Sequence, residues 1–392
     1  MDFDAIINRK NTYCTQWDYV GDRFGVSDLL PFTISDTDFA LPVEVQTALS
    51  KRLARPIFGY TRWNHFDFKQ SVVGWYQKRF QTDIQQEWIQ FSPSVIYAIS
   101  RIIEMKSQIH EGVVLFSPAY DAFFGAIREN QREVVESYLI YRNFSYQIDF
   151  QDLEEKLSRK ENTIFLLCSP HNPTGRVWTE SELEKIVLLC EKYQVFLIAD
   201  EIHMDILREG KRHYPISRFA KEGNYVLATS GSKTFNFPSL NFAYLLIPDE
   251  LLRNEFEKRL KFRDGLSSCS ALGLEATMAA YQGSEAWVDA LNDYIDGNFN
   301  LVSDFVRRYL PRIKLVHSEA TYLAWLDLAE LGKSGEEVQK ELIERGKVAI
   351  MSGKVYGEVY ENFLRMNIGC PRSKVLQGLK SIEKALQAKS EK

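Results

Sequence analysis

Five short apolar runs, at residues 112–116, 163–168, 195–199, 225–228 and 242–247, constrain the fold more than any other feature. Short apolar runs bounded by turn-forming residues read as buried strands. Helix-like patterns at 42–52, 66–80, 94–108 and 183–193 precede or separate them, and 88–91 adds a further short strand. The alternation predicts an α/β fold in which a mainly parallel sheet is covered by helices and ligands bind beyond the carboxyl ends of the strands. The places where the runs stop are therefore the places to look for chemistry.

The flanking regions have a different character. Residues 1–45 mix aromatic, acidic and turn-forming residues with little periodicity, which predicts an extended arm lying over another part of the molecule. Thr179-Glu180-Ser181-Glu182 is a capping box that opens the helix at 183–193. Beyond 284 the pattern changes to a long helix at 286–309, alternating segments at 314–328 and 348–351, and a terminal helix from Lys374. The expected organisation is a large domain at 46–284 and a smaller α+β domain built from 285–392 and completed by the arm at 1–45. With 392 residues the chain is long enough for this division.

Charge and cysteine usage narrow the function. A net charge of −5 offers no broad basic face to nucleic-acid phosphates. Cys14, Cys168, Cys190, Cys269 and Cys370 are widely spaced, odd in number and without a Cys-x-x-Cys pair, which argues against a disulfide framework and a zinc site. Met1-Asp2-Phe3-Asp4 lacks a basic or apolar signal pattern, and no apolar stretch approaches a membrane span. A soluble cytoplasmic protein is expected, with no metal, nucleic-acid or membrane partner.

Chemistry-bearing residues gather at the strand ends. The run at 225–228 stops at Thr229-Ser230-Gly231-Ser232-Lys233. A lysine in apolar surroundings loses its proton more readily and can form an imine with an aldehyde cofactor, whereas Ser-x-Lys alone is compatible with a plain surface lysine. The run at 195–199 stops at Asp200-Glu201-Ile202-His203. A carboxylate emerging from a buried strand needs a cation or hydrogen-bond donors, whether a protonated pyridine nitrogen or an internal ion pair. His203 beside it reads equally as a core histidine.

Ser169-Pro170-His171-Asn172-Pro173-Thr174-Gly175 holds Asn172 in a restricted backbone, aiming its amide at a phenolic oxygen or capping a rigid turn. Tyr120, just after the run at 112–116, either stacks on a flat cofactor or packs in the core. Ser94 and Val95 open a helix whose N–H groups suit a phosphate, with Ser230 and Ser232 opposite, although a simple helix cap explains Ser94 as well. Arg365, inside the apolar stretch 363–369, needs an anion, either a substrate carboxylate or an internal partner.

Taken together, Tyr120, the 171–175 stretch, Asp200 to His203, Ser230-Gly231-Ser232-Lys233 and Arg365 resemble fold-type I pyridoxal-phosphate (PLP) enzymes in order and spacing. Within that superfamily Trp17-Asp18-Tyr19, Asp36-Thr37-Asp38-Phe39, Phe58-Gly59-Tyr60, Asp200-Glu201-Ile202-His203-Met204-Asp205 and Ser232-Lys233-Thr234-Phe235-Asn236 are similar to the C–S β-lyase branch, also called the MalY/PatB branch. The stretches at 29–36, 93–97, 263–268 and 321–327 are similar to members of that branch that also modulate the maltose regulon.

The resemblance implies a fold-type I PLP-dependent transferase fold, whose large domain has a mainly parallel seven-stranded sheet, with pyridoxal 5'-phosphate as cofactor. It implies that Lys233 carries the cofactor, Asp200 pairs with the ring nitrogen, Asn172 and His203 lie by the phenolic oxygen, and Tyr120 stacks on the ring. Ser94, Val95, Ser230 and Ser232 would cup the phosphate, joined by Tyr60 from the second subunit of a homodimer, and Arg365 would take the substrate carboxylate. Lys233, Tyr120 and Tyr60 are then the expected catalytic residues. The implied activity is β-elimination from L-cystathionine, with a maltose-regulon transcription activator as a further expected partner. An aminotransferase and a purely regulatory binding protein are the alternatives. Two positions depart from the wider superfamily: Asn241 stands where many aminotransferases carry an arginine, and Ser94 where many relatives have glycine.

Overall fold

The computed structural model describes residues 1–221 and 223–387. Its larger sheet has seven strands in the order Ile89–Ser92, Ala243–Leu246, Tyr225–Thr229, Phe196–Asp200, Asn162–Cys168, Gly112–Ser117 and Glu133–Tyr138. Ala243–Leu246 runs antiparallel to both neighbours, and the other pairings are parallel. The central strands are buried nearly throughout. Burial on both faces is why they read as continuous apolar runs rather than alternating ones. The seventh strand, Glu133–Tyr138, is absent from the sequence reading. It lies at the edge and is mostly half-exposed, with Glu133 and Glu136 among its residues, and charge on an edge strand discourages pairing with other chains.

Helices pack on this sheet and are fixed at their starts. Ser94 caps Val95–Lys106 by accepting the Tyr97 N–H at 3.1 Å. The expected capping box of Thr179 and Glu182 is present at the start of Glu180–Tyr193. Such caps are worth about 1 kcal/mol each.

A second sheet of five strands has the order Leu30–Phe32, Val348–Ser352, Phe363–Asn367, Leu323–Asp327, Lys314–Leu315. Its first strand comes from the N-terminal segment, which the sequence reading takes as an extended arm with little periodicity. That expectation is corrected: the segment holds a helix, Val20–Phe24, and the strand Leu30–Phe32, which pairs in parallel with Val348–Ser352. A three-residue strand leaves no periodicity to read, because its partner lies more than 300 residues away. Phe32 is fully buried, and its ring comes so near Gly378 that a Cβ there would stand 2.4 Å from it.

Residues 33–39 run from this strand across to the larger sheet, and their backbone is held from both sides. Arg365 donates to the Thr33 carbonyl at 2.9 Å, and Asn367 to those of Ile34 and Asp36 at 2.5 and 2.6 Å. Asn236 accepts the Thr37 N–H at 3.0 Å and donates to the Thr37 and Phe39 carbonyls at 2.9 and 2.8 Å. Arg9 and Lys374 pair with Asp38 at 2.9 and 2.6 Å. Among the described residues no helix is long and apolar enough to cross a membrane, and the five cysteines are free.

Candidate active site

A cleft of about 800 Å³, its open mouth included, lies beyond the carboxyl ends of the central strands. This is the size of a site for a small organic molecule. Tyr120, Asn172, Asp200, His203, Ser94, Val95, Ser230, Ser232 and Lys233 all line it. Residues from five separate stretches are thus brought together at one end of the sheet. Arg365 and Tyr60 do not line the cleft.

Lys233 sits in the turn after Tyr225–Thr229, and its Nζ donates to the Ser35 carbonyl at 2.5 Å. Burial is the largest influence on this amine and lowers its pKa to about 8, with Arg365 acting in the same direction and Asp36 against it. A desolvated amine of this kind is neutral about a tenth of the time at pH 7, far more than an ordinary lysine, and the neutral form is what a nucleophile or base requires. Next to it, Thr234 Oγ1 donates to Asp205 at 3.2 Å, and Asp205 also accepts from Trp75 Nε1 at 3.1 Å. Asp205 is itself buried, which pushes its pKa up to about 6.

Asp200 ends the strand Phe196–Asp200 and is buried. It accepts the Ile202 N–H at 3.0 Å and has no ion-pair partner among the described residues. Burial raises its pKa to about 7, against the pull of that N–H and of Lys233. Such a carboxylate gains most from a cation placed against it inside the cleft. His203 is pushed down to about 3 by burial, with Lys233 and Arg365 adding to the effect, and is therefore neutral. Its Nδ1 is buried without a hydrogen-bond partner among the described residues.

Asn172 accepts from Arg365 Nη1 at 3.2 Å, leaving its own NH₂ without a partner among the described residues. The turn that carries it contains Gly175 at φ +70°, where an added Cβ would stand 2.2 Å from Ser318 Oγ. Only glycine fits both the left-handed backbone and that close approach. Two of the four groups expected to cup a phosphate are modified by the geometry. Ser230 donates its hydroxyl proton to the Phe242 carbonyl at 2.6 Å, and Ser94 Oγ accepts the Tyr97 N–H as a helix cap. The Ser230 hydroxyl proton is thus committed inside the protein, while the start of Val95–Lys106 lines the cleft, and a helix start suits an anion.

Arg365 lies within the strand Phe363–Asn367, 4% exposed, and its guanidinium is 4.8 Å from the Tyr356 ring. Its bonds to Asn172 and to Thr33 place it between the cleft and the 33–39 segment. Tyr60 lies fully exposed, apart from the cleft, in company with exposed Ile57 and Phe58. In a single chain it completes nothing.

Ser35, Cys168, Pro238, Asn241, Phe242 and Ala243 also line the cleft and were not foreseen as cofactor or substrate contacts. Ser35 acts through its carbonyl, which also accepts from Tyr322 OH at 3.0 Å, so its side chain carries no signal. Tyr322 had one available: a tyrosine in the otherwise apolar run 322–326 needs a buried partner for its hydroxyl. Among the described residues no group of His, Cys, Asp or Glu side chains stands close enough to hold a metal ion.

Residues 27–382 match the family described as aminotransferase class I and II. The chain is 45% identical to Protein MalY of Escherichia coli (strain K12), over 99% of each chain. It is 37% identical to Cystathionine beta-lyase PatB of Bacillus subtilis (strain 168), over 98% of this chain and 100% of the relative. Among solved structures it is similar to the PLP-bound C-S lyase from Staphylococcus hominis, with a TM-score of 0.91 and 31% identity over 99% of this chain and 98% of that one.

Proposed function

The chain belongs to the class I and II aminotransferase family, and from that membership we propose that it is a PLP-dependent cystathionine β-lyase, releasing homocysteine, pyruvate and ammonia from L-cystathionine. What carries the reading is one pairing: a half-buried lysine with a desolvated amine and a buried, uncompensated carboxylate share a cleft in a chain similar along its whole length to PatB.

The cleft residues fit the cofactor. Asp200 suits a protonated ring nitrogen, His203 Nδ1 and the NH₂ of Asn172, whose oxygen is held by Arg365, suit its phenolic oxygen, and the start of Val95–Lys106 with Ser232 suits its phosphate. Tyr120 suits the ring face. When bound, the cofactor withdraws electrons from the substrate's α-carbon and so weakens the Cα–H bond.

In this proposal Lys233 Nζ, kept partly neutral by burial, takes the α-proton. Arg365 holds the substrate α-carboxylate by paired N–H donors, which orients the Cα–H bond toward Lys233. Asp200 stays ionised against the positive ring nitrogen, and His203 stays neutral beside the phenolic oxygen. The sulfur leaves from the β-carbon with a proton supplied by Lys233 Nζ or by Tyr120, and Tyr60 reaches the phosphate of the second subunit in a homodimer. The 46–284 region forms the cofactor-binding domain, with 1–45 and 285–392 forming the smaller one, and the enzyme works in the cytoplasm.

The test is incubation of the purified holoenzyme with L-cystathionine and no keto acid. The expected result is equimolar thiol and pyruvate; strict dependence on an added keto acid would replace the reading with transamination. The similarity at 29–36, 93–97, 263–268 and 321–327 extends the proposal to a maltose-regulon transcription activator as partner. A Lys233→Ala protein that still captures the activator would separate the two roles, and a wild-type protein that captures none would remove the second.

A further inference from the structure

Two charged side chains adjacent to residues of the site have no role in the scheme above: one contacts the strand partner of Arg365, the other follows Tyr120 in the chain. Arg23, on the short helix Val20–Phe24, is exposed and has no carboxylate within ion-pair distance among the described residues. Its Nη1 donates to Met351 Sδ at 3.2 Å, and Met351 is paired across the sheet with Arg365. Asp121 follows Tyr120 directly, opens the helix Asp121–Glu129, is also exposed, and has no ion-pair partner among the described residues.

Both charges converge on the same two phenols. The Tyr120 hydroxyl feels the negative field of Asp121 and the positive field of Arg23, and so does that of Tyr356. Tyr120 lines the cleft, Tyr356 lies under the Arg365 guanidinium at 4.8 Å, and the Ala119 N–H binds the Tyr356 carbonyl at 2.9 Å. A cation and an anion therefore act on the same two phenols, and neither has an opposite charge within ion-pair distance among the described residues.

L-Cystathionine carries a second α-amino-acid group on the half that leaves with sulfur. We propose that Arg23 and Asp121 form a distal subsite for this zwitterion, Arg23 taking the carboxylate and Asp121 the ammonium. The two are specificity residues: they touch the departing half and leave proton transfer to Lys233. The inference rests on the lyase reading and names the thioether class the site prefers, one whose leaving thiol bears an α-amino-acid end.

The experiment compares three thioethers on holoenzyme: L-cystathionine, S-(3-carboxypropyl)-L-cysteine, which keeps the distal carboxylate but lacks the amine, and S-ethyl-L-cysteine, which lacks both. Arg23→Ala is expected to lower the kcat/KM ratio of cystathionine to S-ethylcysteine by about tenfold to a hundredfold, the worth of one charged hydrogen-bonded contact, mostly through KM. The ratio for the carboxypropyl compound falls equally. Asp121→Asn lowers the cystathionine ratio and leaves that of the carboxypropyl compound unchanged.

Calorimetric titration with 2,7-diaminosuberate, in which a methylene replaces sulfur, is expected to show the same weakening in Arg23→Ala without turnover. Unchanged ratios in both variants, or unchanged affinity for the analogue, overturn the subsite and leave the lyase reading intact. Absence of pyruvate from all three thioethers in the wild type overturns both.

Discussion

The two sheets deliver chemistry in opposite ways. In the seven-stranded sheet the strands are apolar along their length and the reactive groups come just as the strands end, at Tyr120, Asn172, Asp200 and Lys233. In the five-stranded sheet Arg365 and Asn367 lie inside a strand and are tied to the backbone of residues 33–36. Groups just past a strand end are free to line a cleft; groups inside a strand are held rigidly and buried, so each needs a partner. The larger sheet is thereby suited to gripping a cofactor, and the smaller one to presenting a fixed cation to whatever enters beside it.

This division predicts different failures on the two sides. The largest effect is expected at Lys233: Lys233→Ala lowers pyruvate release by about 10³-fold or more, since in the proposed scheme one nitrogen serves both as cofactor anchor and as base. Asp200→Ala comes next, weakening cofactor retention by about a hundredfold to a thousandfold through loss of a buried charge partner, as read by the visible absorbance of dialysed protein. Arg365→Ala should raise KM by about tenfold to a hundredfold while leaving that absorbance unchanged. A variant of Arg365 that loses cofactor, or one of Asp200 that keeps it and loses only substrate affinity, would break the comparison.

Smaller effects sharpen it. Asn236→Ala removes three hydrogen bonds to Thr37 and Phe39 that join the two sides, and is expected to lower stability by about 1–3 kcal/mol in denaturant titration. A further effect concerns pH in the cofactor-free protein. The folded pKa of Asp200 is raised from 3.8 to about 7, so folded protein holds this proton more tightly than unfolded protein. The stability it contributes is complete below the unfolded value and is lost as pH rises through about 7. Asp200→Asn should therefore stabilise the cofactor-free protein at pH above this window and give no gain below it. His203, depressed to about 3, has the opposite sign: its stability is present above 6.5 and lost as pH falls toward the folded value.

The same contrast explains what the sequence made legible. Asp200 and Lys233 stand out because each breaks an apolar run, and desolvation of a charged residue at that point demands a reason. The strand Glu133–Tyr138 escapes because an edge strand needs no apolar run, and Leu30–Phe32 because its partner is far away in the chain. Ser35 escapes for a different reason: it meets Lys233 and Tyr322 through a carbonyl that every residue possesses. Ser230 was expected to offer its hydroxyl to a phosphate, yet only the folded chain brings the Phe242 carbonyl that takes its proton. Contacts made by side chains at strand ends can be read ahead of structure; those made by backbone or by long-range pairing cannot.

The central claim is that one lysine at the end of Tyr225–Thr229 anchors the cofactor opposite the carboxylate of Asp200. Borohydride reduction of the holoenzyme followed by peptide mapping tests it directly. The account predicts a single pyridoxyl label on Lys233, absent from Lys233→Ala; a label on another lysine, or none, would contradict it.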